Sequence, residues 1–431
     1  MIVVGAGLAG CEAAYQLAER DIKVRLYEMK PDRFSGAHHY NSLAELVCSN
    51  SLKGNSVDNA CGLLKEEMRR FNSLIIKCAD ETKVPAGGAL AVDREKFSNL
   101  VTEKIEAHKN ISLIREEIFK IPENEPVIIA TGPLTDNELF EDIKRITGGN
   151  SLFFYDAAAP LVSFESIDMS KAFFGSRYNK GTPDYINCPM NYSEYEEFYE
   201  ALINAELAPL KEEIEKPEVF EGCMPVEVMA KRGKDTLLFG PLKPVGLEDF
   251  ETGERYHAVV QLRKDNTEGT IYNMVGFQTN LKFGEQKRVF SMIPALKNAE
   301  YLRYGVMHRN SFINSPALLS PDYSLRDRKE IFFAGQITGV EGYVESAASG
   351  MLAGINAANR QKGEEPFILP DSTMLGALTK YITTADEKHF QPMNANFGII
   401  SAPKLKIRNK RERYTQIALN SLSVIDNFTK F

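Results

Sequence analysis

The sequence predicts an α/β fold in which a parallel sheet opens the chain, is interrupted by an α+β insert, and is completed near the C-terminus. Three observations carry this. Ile2-Val3-Val4 is an apolar strand that runs directly into Gly5-x-Gly7-x-x-Gly10, with an alanine-rich helical pattern from Cys11 to Arg20. Between about residues 150 and 300 the chain turns richer in Tyr, Phe and Pro, with strand-like pieces at 236–240, 257–263 and 269–277. Ile331-Phe332-Phe333-Ala334-Gly335 then returns to the opening style, followed by a small-residue helix from Ser346 to Asn359.

The glycine turn is the strongest single motif. Its first glycine allows a tight turn, the second lets backbone approach a pyrophosphate, and the third lets helix and strand pack closely. The helix start adds free N–H groups and a positive dipole end. Lys23 to Tyr27 alternates as a second strand and ends at Glu28, where a carboxylate would accept hydrogen bonds from an adenosine ribose. A carboxylate there favours an unphosphorylated ribose, hence FAD or NAD over NADP. Helical periodicity from Glu66 to Cys78 follows a Gly/Ser/Asn-rich loop at 49–62. Glu125 to Ala130 is a short apolar strand ending in Thr131-Gly132. Together with Gly335-Gln336 after the late strand, it separates FAD from NAD, although both could be ordinary strand ends. The expectation is a Rossmann-like, glutathione-reductase-like FAD-binding domain. Its segments would be 1–150 and 301–365, with an inserted substrate or RNA-side domain at 151–300 and a basic tail, 366–431, packed on the FAD domain. Candidate cofactor-binding residues are Gly5, Ala6, Gly7, Gly10, Glu28, Thr131, Gly132, Gly335 and Gln336.

Bulk composition limits the function classes. A net charge of −8 argues against a general polyanion binder, while leaving room for a local RNA-gripping patch. Basic clusters at Lys231-Arg232-Lys234, at Lys282 with Lys287-Arg288, and from Lys404 to Arg413 could form such a rim, or could be solvated faces. No apolar run approaches the roughly 20 residues that span a bilayer. The first strand begins where a signal peptide would have to lie, so a cytoplasmic location is expected. Six cysteines without a CxxC suit neither a disulfide framework nor a zinc site, and the adjacent His38-His39 point opposite ways on an extended segment, so no metal is expected.

Cys48, in Glu45-Leu46-Val47-Cys48-Ser49-Asn50-Ser51, sits in a polar loop close after the ribose strand. Cys223, in Glu221-Gly222-Cys223-Met224-Pro225-Val226-Glu227, is flanked by turn residues and two carboxylates. Each could be core filler or chemistry, since reactivity needs an accessible thiolate. Cys11, Cys61, Cys78 and Cys188 lie in helical or unremarkable settings.

Long stretches without a generic role then decide the matter. GAGLAGCEAAYQLA, ELVCSNSL, VPAGGALAVDR, IIATGPLT, FYDAAAP, EGCMPVEVMAKRG, GPLKPVGLED, RYGVMHRN, FFAGQITGVEGYVESAASG and HFQPMNANFG run from end to end. In these the chain resembles the folate- and FAD-dependent tRNA uracil-5-methyltransferase family (TrmFO, historically Gid). The resemblance implies that flavin, reduced by NAD(P)H, carries the methylene of methylenetetrahydrofolate to C5 of a uridine. It implies Cys223 as the nucleophile that adds to uracil C6, and Cys48 as general base or proton-handling partner. It also implies tRNA as substrate. Tyr15 and Phe283 stand where relatives usually carry tryptophan, which hints at an AT-rich genome. A branch of the family in such bacteria methylates 23S ribosomal RNA, the alternative substrate.

Overall fold

Strand Ile2–Val4 is three apolar residues, all buried, and it forms the middle of a five-stranded parallel sheet. Ile2 lies opposite Arg25 on one side and Val127 on the other. Across the sheet the order is Ile331–Phe333, Val127–Ile129, Ile2–Val4, Val24–Tyr27 and Ile111–Ile114. The strand at 331–333 pairs in parallel with Val127–Ile129, so the late segment closes the early sheet. The computed structural model describes residues 1–149, 151–179, 182–209, 224–247, 256–401 and 407–429.

Two helices set the depth of this layer. Helix Leu8–Ala18 lies against helix Tyr343–Lys362, and the contact is backbone-close: a Cβ on Gly350 would come within 2.2 Å of the Ala9 carbonyl oxygen. Side chains such as Ala13, Ala14, Leu17, Ala347, Met351 and Ala358 fill the joint core. Small residues on both faces allow the approach that the sheet's apolar strands then cover.

The insert has its own antiparallel sheet of six strands. Their order is Phe173–Gly175, Tyr185–Met190, Ala258–Lys264, Ile271–Met274, Leu161–Ser163 and Tyr301–Arg303. Helix Tyr192–Ile203, closed by an Asn191/Glu194 capping box, buries Tyr195, Phe198 and Leu202 against it. A separate core forms around Val260, Leu262, Met274, Phe277 and Phe290. Strands Ser151–Ala157 and Met307–Ile313 pair antiparallel and lead into and out of the insert.

Three local expectations change. The helix expected over 66–78 is two helices, Ala60–Arg70 and Leu74–Glu81. Asn72 takes a positive φ of 56° and Ser73 caps the second helix by accepting from the Ile76 N–H. The strand expected at 236–240 is a short helix, Thr236–Phe239, because its apolar run fits either period and only Leu237 turns inward. The tail is more than a basic strip. Helices Met374–Thr384 and Lys410–Phe428 dock on the first layer through Glu67, which accepts from Met374 N, Leu375 N and Ser421 Oγ. Burial pushes the Glu67 carboxyl up to about 7. Of the basic run, Lys404 and Lys406 lie outside the described residues.

Candidate active site

The turn after the first strand is shaped by what it cannot hold. Gly5 has a φ of 93° and donates its N–H to the Tyr27 carbonyl at 2.9 Å. A Cβ on Gly10 would sit 1.7 Å from the Gly5 carbonyl oxygen, so the helix starts hard against the turn. Gly7 is different: a Cβ there meets no protein atom within 4 Å, and the residue lines a cleft of about 1010 Å³, open mouth included. Helix Leu8–Ala18 has neither a side-chain cap at Gly7 nor an acidic residue in its first turn. Its leading N–H groups and positive dipole end are therefore left for an anion in the cleft.

Glu28, at the end of the second strand, is buried and faces the same cleft. Its Oε2 accepts from Ala6 N at 2.9 Å and its Oε1 from Lys30 N at 3.1 Å. A carboxylate offers about four lone-pair sites, so two remain for ribose hydroxyls. Thr131 and Gly132 form the facing wall, with Thr131 Oγ1 2.6 Å from Thr135 Oγ1. Gly335, at a φ of 84°, donates its N–H to Ser349 Oγ, and Gln336 is held by Glu341. His38 also lines the cleft, bonded through Nδ1 to Ser35 Oγ. Among the described residues no group of three His, Cys, Asp or Glu could hold a metal ion. An open glycine floor, a helix start without a cap and a carboxylate with spare acceptor sites fit a dinucleotide such as FAD.

At the far end, Tyr343 lines the cleft and meets Cys48. The Tyr343 hydroxyl accepts from Cys48 N at 2.8 Å and Ser49 N at 3.2 Å, and lies 2.9 Å from Cys48 Sγ. Both of its lone pairs face N–H donors, so its own proton is directed at sulfur. Burial first, and the neighbouring Cys48 second, hold this phenol well above its usual pKa, which keeps it a neutral donor.

The Cys48 loop is clamped by charged side chains from distant segments. Arg94 donates to the carbonyls of Leu46 and Val47 at 2.8 and 3.3 Å and pairs with Asp265 at 2.9 Å. Arg263 donates to Asn50 Oδ1 and Ser49 Oγ, while Asn50 Nδ2 bridges the Val92 and Lys264 carbonyls. Arg303, on the last strand of the insert sheet, interacts electrostatically with Arg94 and Asp265 and lies within reach of Tyr343 and Cys48. Arg94 is ion-paired with Asp265, whose charge also reaches Arg263 and Arg303.

Of the expected site residues, Gly5, Ala6, Gly7, Glu28, Thr131, Gly132, Gly335 and Gln336 share the cleft wall, with Gly10 behind it and Cys48 at its Tyr343 end. Cys223 lies outside the described residues. The following segment does not: Val226 N donates to the Gln278 carbonyl, and the buried Glu227 accepts from Thr279 Oγ1 and Asn280 N. Tyr343, Arg94, Arg263 and Arg303 escaped the sequence reading. Tyr343 stands inside the glycine-framed stretch that follows Gly335, a signal that was there to use. Arg94 ends the quoted stretch VPAGGALAVDR and Arg303 begins RYGVMHRN, while Arg263 carried no signal. In the basic clusters, Lys234, Lys282, Arg288 and Arg411 are each paired with a surface carboxylate, namely Glu196, Glu206, Glu285 and Asp58.

A family model described as glucose inhibited division protein A (GIDA) matches residues 1–365. The chain is 60% identical over 428 residues to a protein of Halalkalibacterium halodurans named methylenetetrahydrofolate–tRNA-(uracil-5-)-methyltransferase TrmFO, covering 99% of this chain and 98% of the relative. A relative of the same name from Acetivibrio thermocellus is 61% identical over 426 residues, with the same coverage of both chains. The fold is similar to that of Aquifex aeolicus GidA, with a TM-score of 0.68, 18% identity, and coverage of 98% of this chain and 75% of that one. The chain belongs to the glucose inhibited division protein A family, among its TrmFO members.

Proposed function

We propose that this protein is an FAD-dependent methyltransferase that makes 5-methyluridine in the T-loop of tRNA, with methylenetetrahydrofolate as carbon donor and NAD(P)H as reductant. One observation carries the reading: a thiol, Cys48, hydrogen-bonded to Tyr343 at the end of a glycine-floored cleft, in a chain about 60% identical to relatives that bear this activity in their names. Bound flavin would supply a two-electron carrier and a means of passing on one carbon.

The remaining chemistry falls to the chain. The Gly5-Ala6 turn positions the open amides of Gly7 and the helix start to take the pyrophosphate, and Glu28 takes the ribose. Thr131, Gly132, Gly335 and Gln336 border the rest of the cofactor, while Gly10 sets the turn. Uracil C5 is a weak nucleophile until a thiolate adds at C6, and Cys223 takes that part. Cys48 takes the C5 proton once the new carbon is attached, with Tyr343 fixing its sulfur. The target base must leave its loop stack to reach this corner. The domain division is proposed as expected from the sequence, with the FAD segments at 1–150 and 301–365, the insert at 151–300 and the tail at 366–431, except that the insert's sheet runs on through its edge strand to Arg303. Among the described residues no helix is long and apolar enough to cross a membrane, and a tRNA-modifying role fits the cytoplasm. The relatives reported above carry tRNA in their names, and nothing among them supports the 23S rRNA alternative.

The test is incubation of the flavin-loaded enzyme with labelled methylenetetrahydrofolate and NADH, offering an unmodified tRNA transcript and a 23S rRNA fragment in parallel. Label in the tRNA T-loop, lost in Cys223→Ala and Cys223→Ser, is the expected result. Label only in the ribosomal fragment would move the substrate, and none in either would remove the activity.

A further inference from the structure

The arginine corner contains an imbalance that the fold does not need. Arg94 is 3% exposed, yet its NH2 finds no hydrogen-bond partner, and the same is true of Nε and NH2 of Arg303. Leaving a buried charged donor unpaired is destabilising, and proteins retain such groups chiefly where a ligand completes them. Asp265 is already engaged by Arg94 Nε at 3.1 Å. The open N–H groups belong to two elements, the helix after Asp93 and the edge strand Tyr301–Arg303, that converge on Cys48 and Tyr343.

We propose that Arg94 and Arg303 leave these N–H groups open for O4 of the target uracil, as an oxyanion receptor beside the base that takes its C5 proton. The inference rests on the methyltransferase reading and deepens it. When a thiolate adds to C6, its electron pair forms the S–C6 bond. The C5=C6 pair moves to C4–C5, and the C4=O4 pair moves onto O4. Negative charge therefore develops on O4 before C5 attacks the incoming carbon. C4=O4 re-forms as C5 attacks. The C5 proton then passes to the base while the bond between the new carbon and its carrier breaks to leave C5=CH2. A hydride equivalent that originates from NAD(P)H turns this into methyl as C5=C6 re-forms and the S–C6 pair returns to sulfur. C4 is bonded to C5, so a donor to O4 must stand next to the group that receives the C5 proton. Arg94 is bonded to the Leu46 and Val47 carbonyls just ahead of Cys48, and both guanidiniums interact electrostatically with Cys48. Donors prearranged for a developing oxyanion in a dry site act mainly on the transition state. Burial, then the like charge of Arg94, lowers the Arg303 guanidinium to about 10, so it remains a cation at neutral pH.

The test uses the flavin-loaded enzyme with its folate donor, NADH and unmodified tRNA transcript, comparing wild type with Arg303→Met and Arg303→Lys. Arg303→Met should lower kcat about 100-fold with KM for tRNA nearly unchanged, and Arg303→Lys should recover part of the loss. The melting temperature of Arg303→Met should hold or rise, because an unpaired buried charge is removed without a partner being stranded. A raised KM with kcat kept would overturn the proposal in favour of a bound phosphate or folate carboxylate. A lowered melting temperature with flavin loss would make Arg303 structural and overturn it too. A wild-type enzyme that methylates no tRNA would remove the parent reading and the inference with it.

Discussion

The two ends of the cleft are built in opposite ways. At the glycine end the floor is backbone and small side chains, and the carboxylate that closes the second strand, Glu28, is held by the Ala6 and Lys30 amides. At the Cys48 end the walls are charged side chains from the first layer and the insert, with three guanidinium nitrogens unpartnered. The first end leaves helix-start N–H groups and spare Glu28 lone pairs facing an open cleft. The second is complete only when something accepts its hydrogen bonds. Glu67 shows that burial alone does not explain the difference, because this buried carboxylate finds three donors and serves to dock the tail.

The contrast can be broken by single substitutions. The largest effect is expected for Gly10→Ala, whose methyl would meet the Gly5 carbonyl at 1.7 Å. Stability should fall by about 3 kcal/mol, the upper part of the overpacking range, with flavin lost as well, as read by thermal denaturation and flavin absorbance. An effect of similar size on stability, without loss of flavin, comes from Glu67, whose folded pKa near 7 lies above the unfolded value near 4.5. The folded state then holds the extra proton between these values. Its contribution is present below about pH 4.5 and is lost by about 3 kcal/mol as pH rises to about 7, with no further change above. Glu67→Gln should flatten that part of the denaturation profile. Tyr343→Phe should cost about 1 kcal/mol, because the half-buried Cys48 and Ser49 amides lose their acceptor, and turnover should fall while flavin stays bound. The smallest effect belongs to Gly7→Ala. Its backbone already sits at a φ of −73° and its methyl meets no protein atom. Melting should barely move while flavin affinity drops about tenfold, or about 1.4 kcal/mol, in a titration of apoprotein.

The same contrast explains how much the sequence disclosed. The glycine end is legible because its constraints are local: three glycines and Glu28 fall within 24 residues of one another, Gly5 to Glu28. Each glycine reports a steric fact about its own turn. The late return to the sheet at Ile331 is legible for a similar reason, as an apolar strand followed by glycine. The Cys48 end is not, because Arg94, Arg263 and Arg303 come from three separate segments and charged residues are ordinarily exposed. Only the tertiary fold turns them toward one thiol. The division of helix 66–78 at Asn72-Ser73 sat in plain view, since Asn tolerates positive φ and Ser caps helices. The apolar Leu237-Leu238-Phe239 could be strand or helix, and with Phe239 83% exposed its hydrophobicity never marked a core strand.

The central claim is that the glycine end holds the cofactor and the Cys48 end performs the chemistry on the base. Its most direct test measures two quantities on one variant, Cys48→Ala: bound flavin per protein, and 5-methyluridine formed in tRNA. Full flavin occupancy with methylation reduced by a factor of about 100 to 10,000 is the predicted result, the range expected for loss of a general base. Loss of flavin together with activity, or activity kept intact, would contradict it.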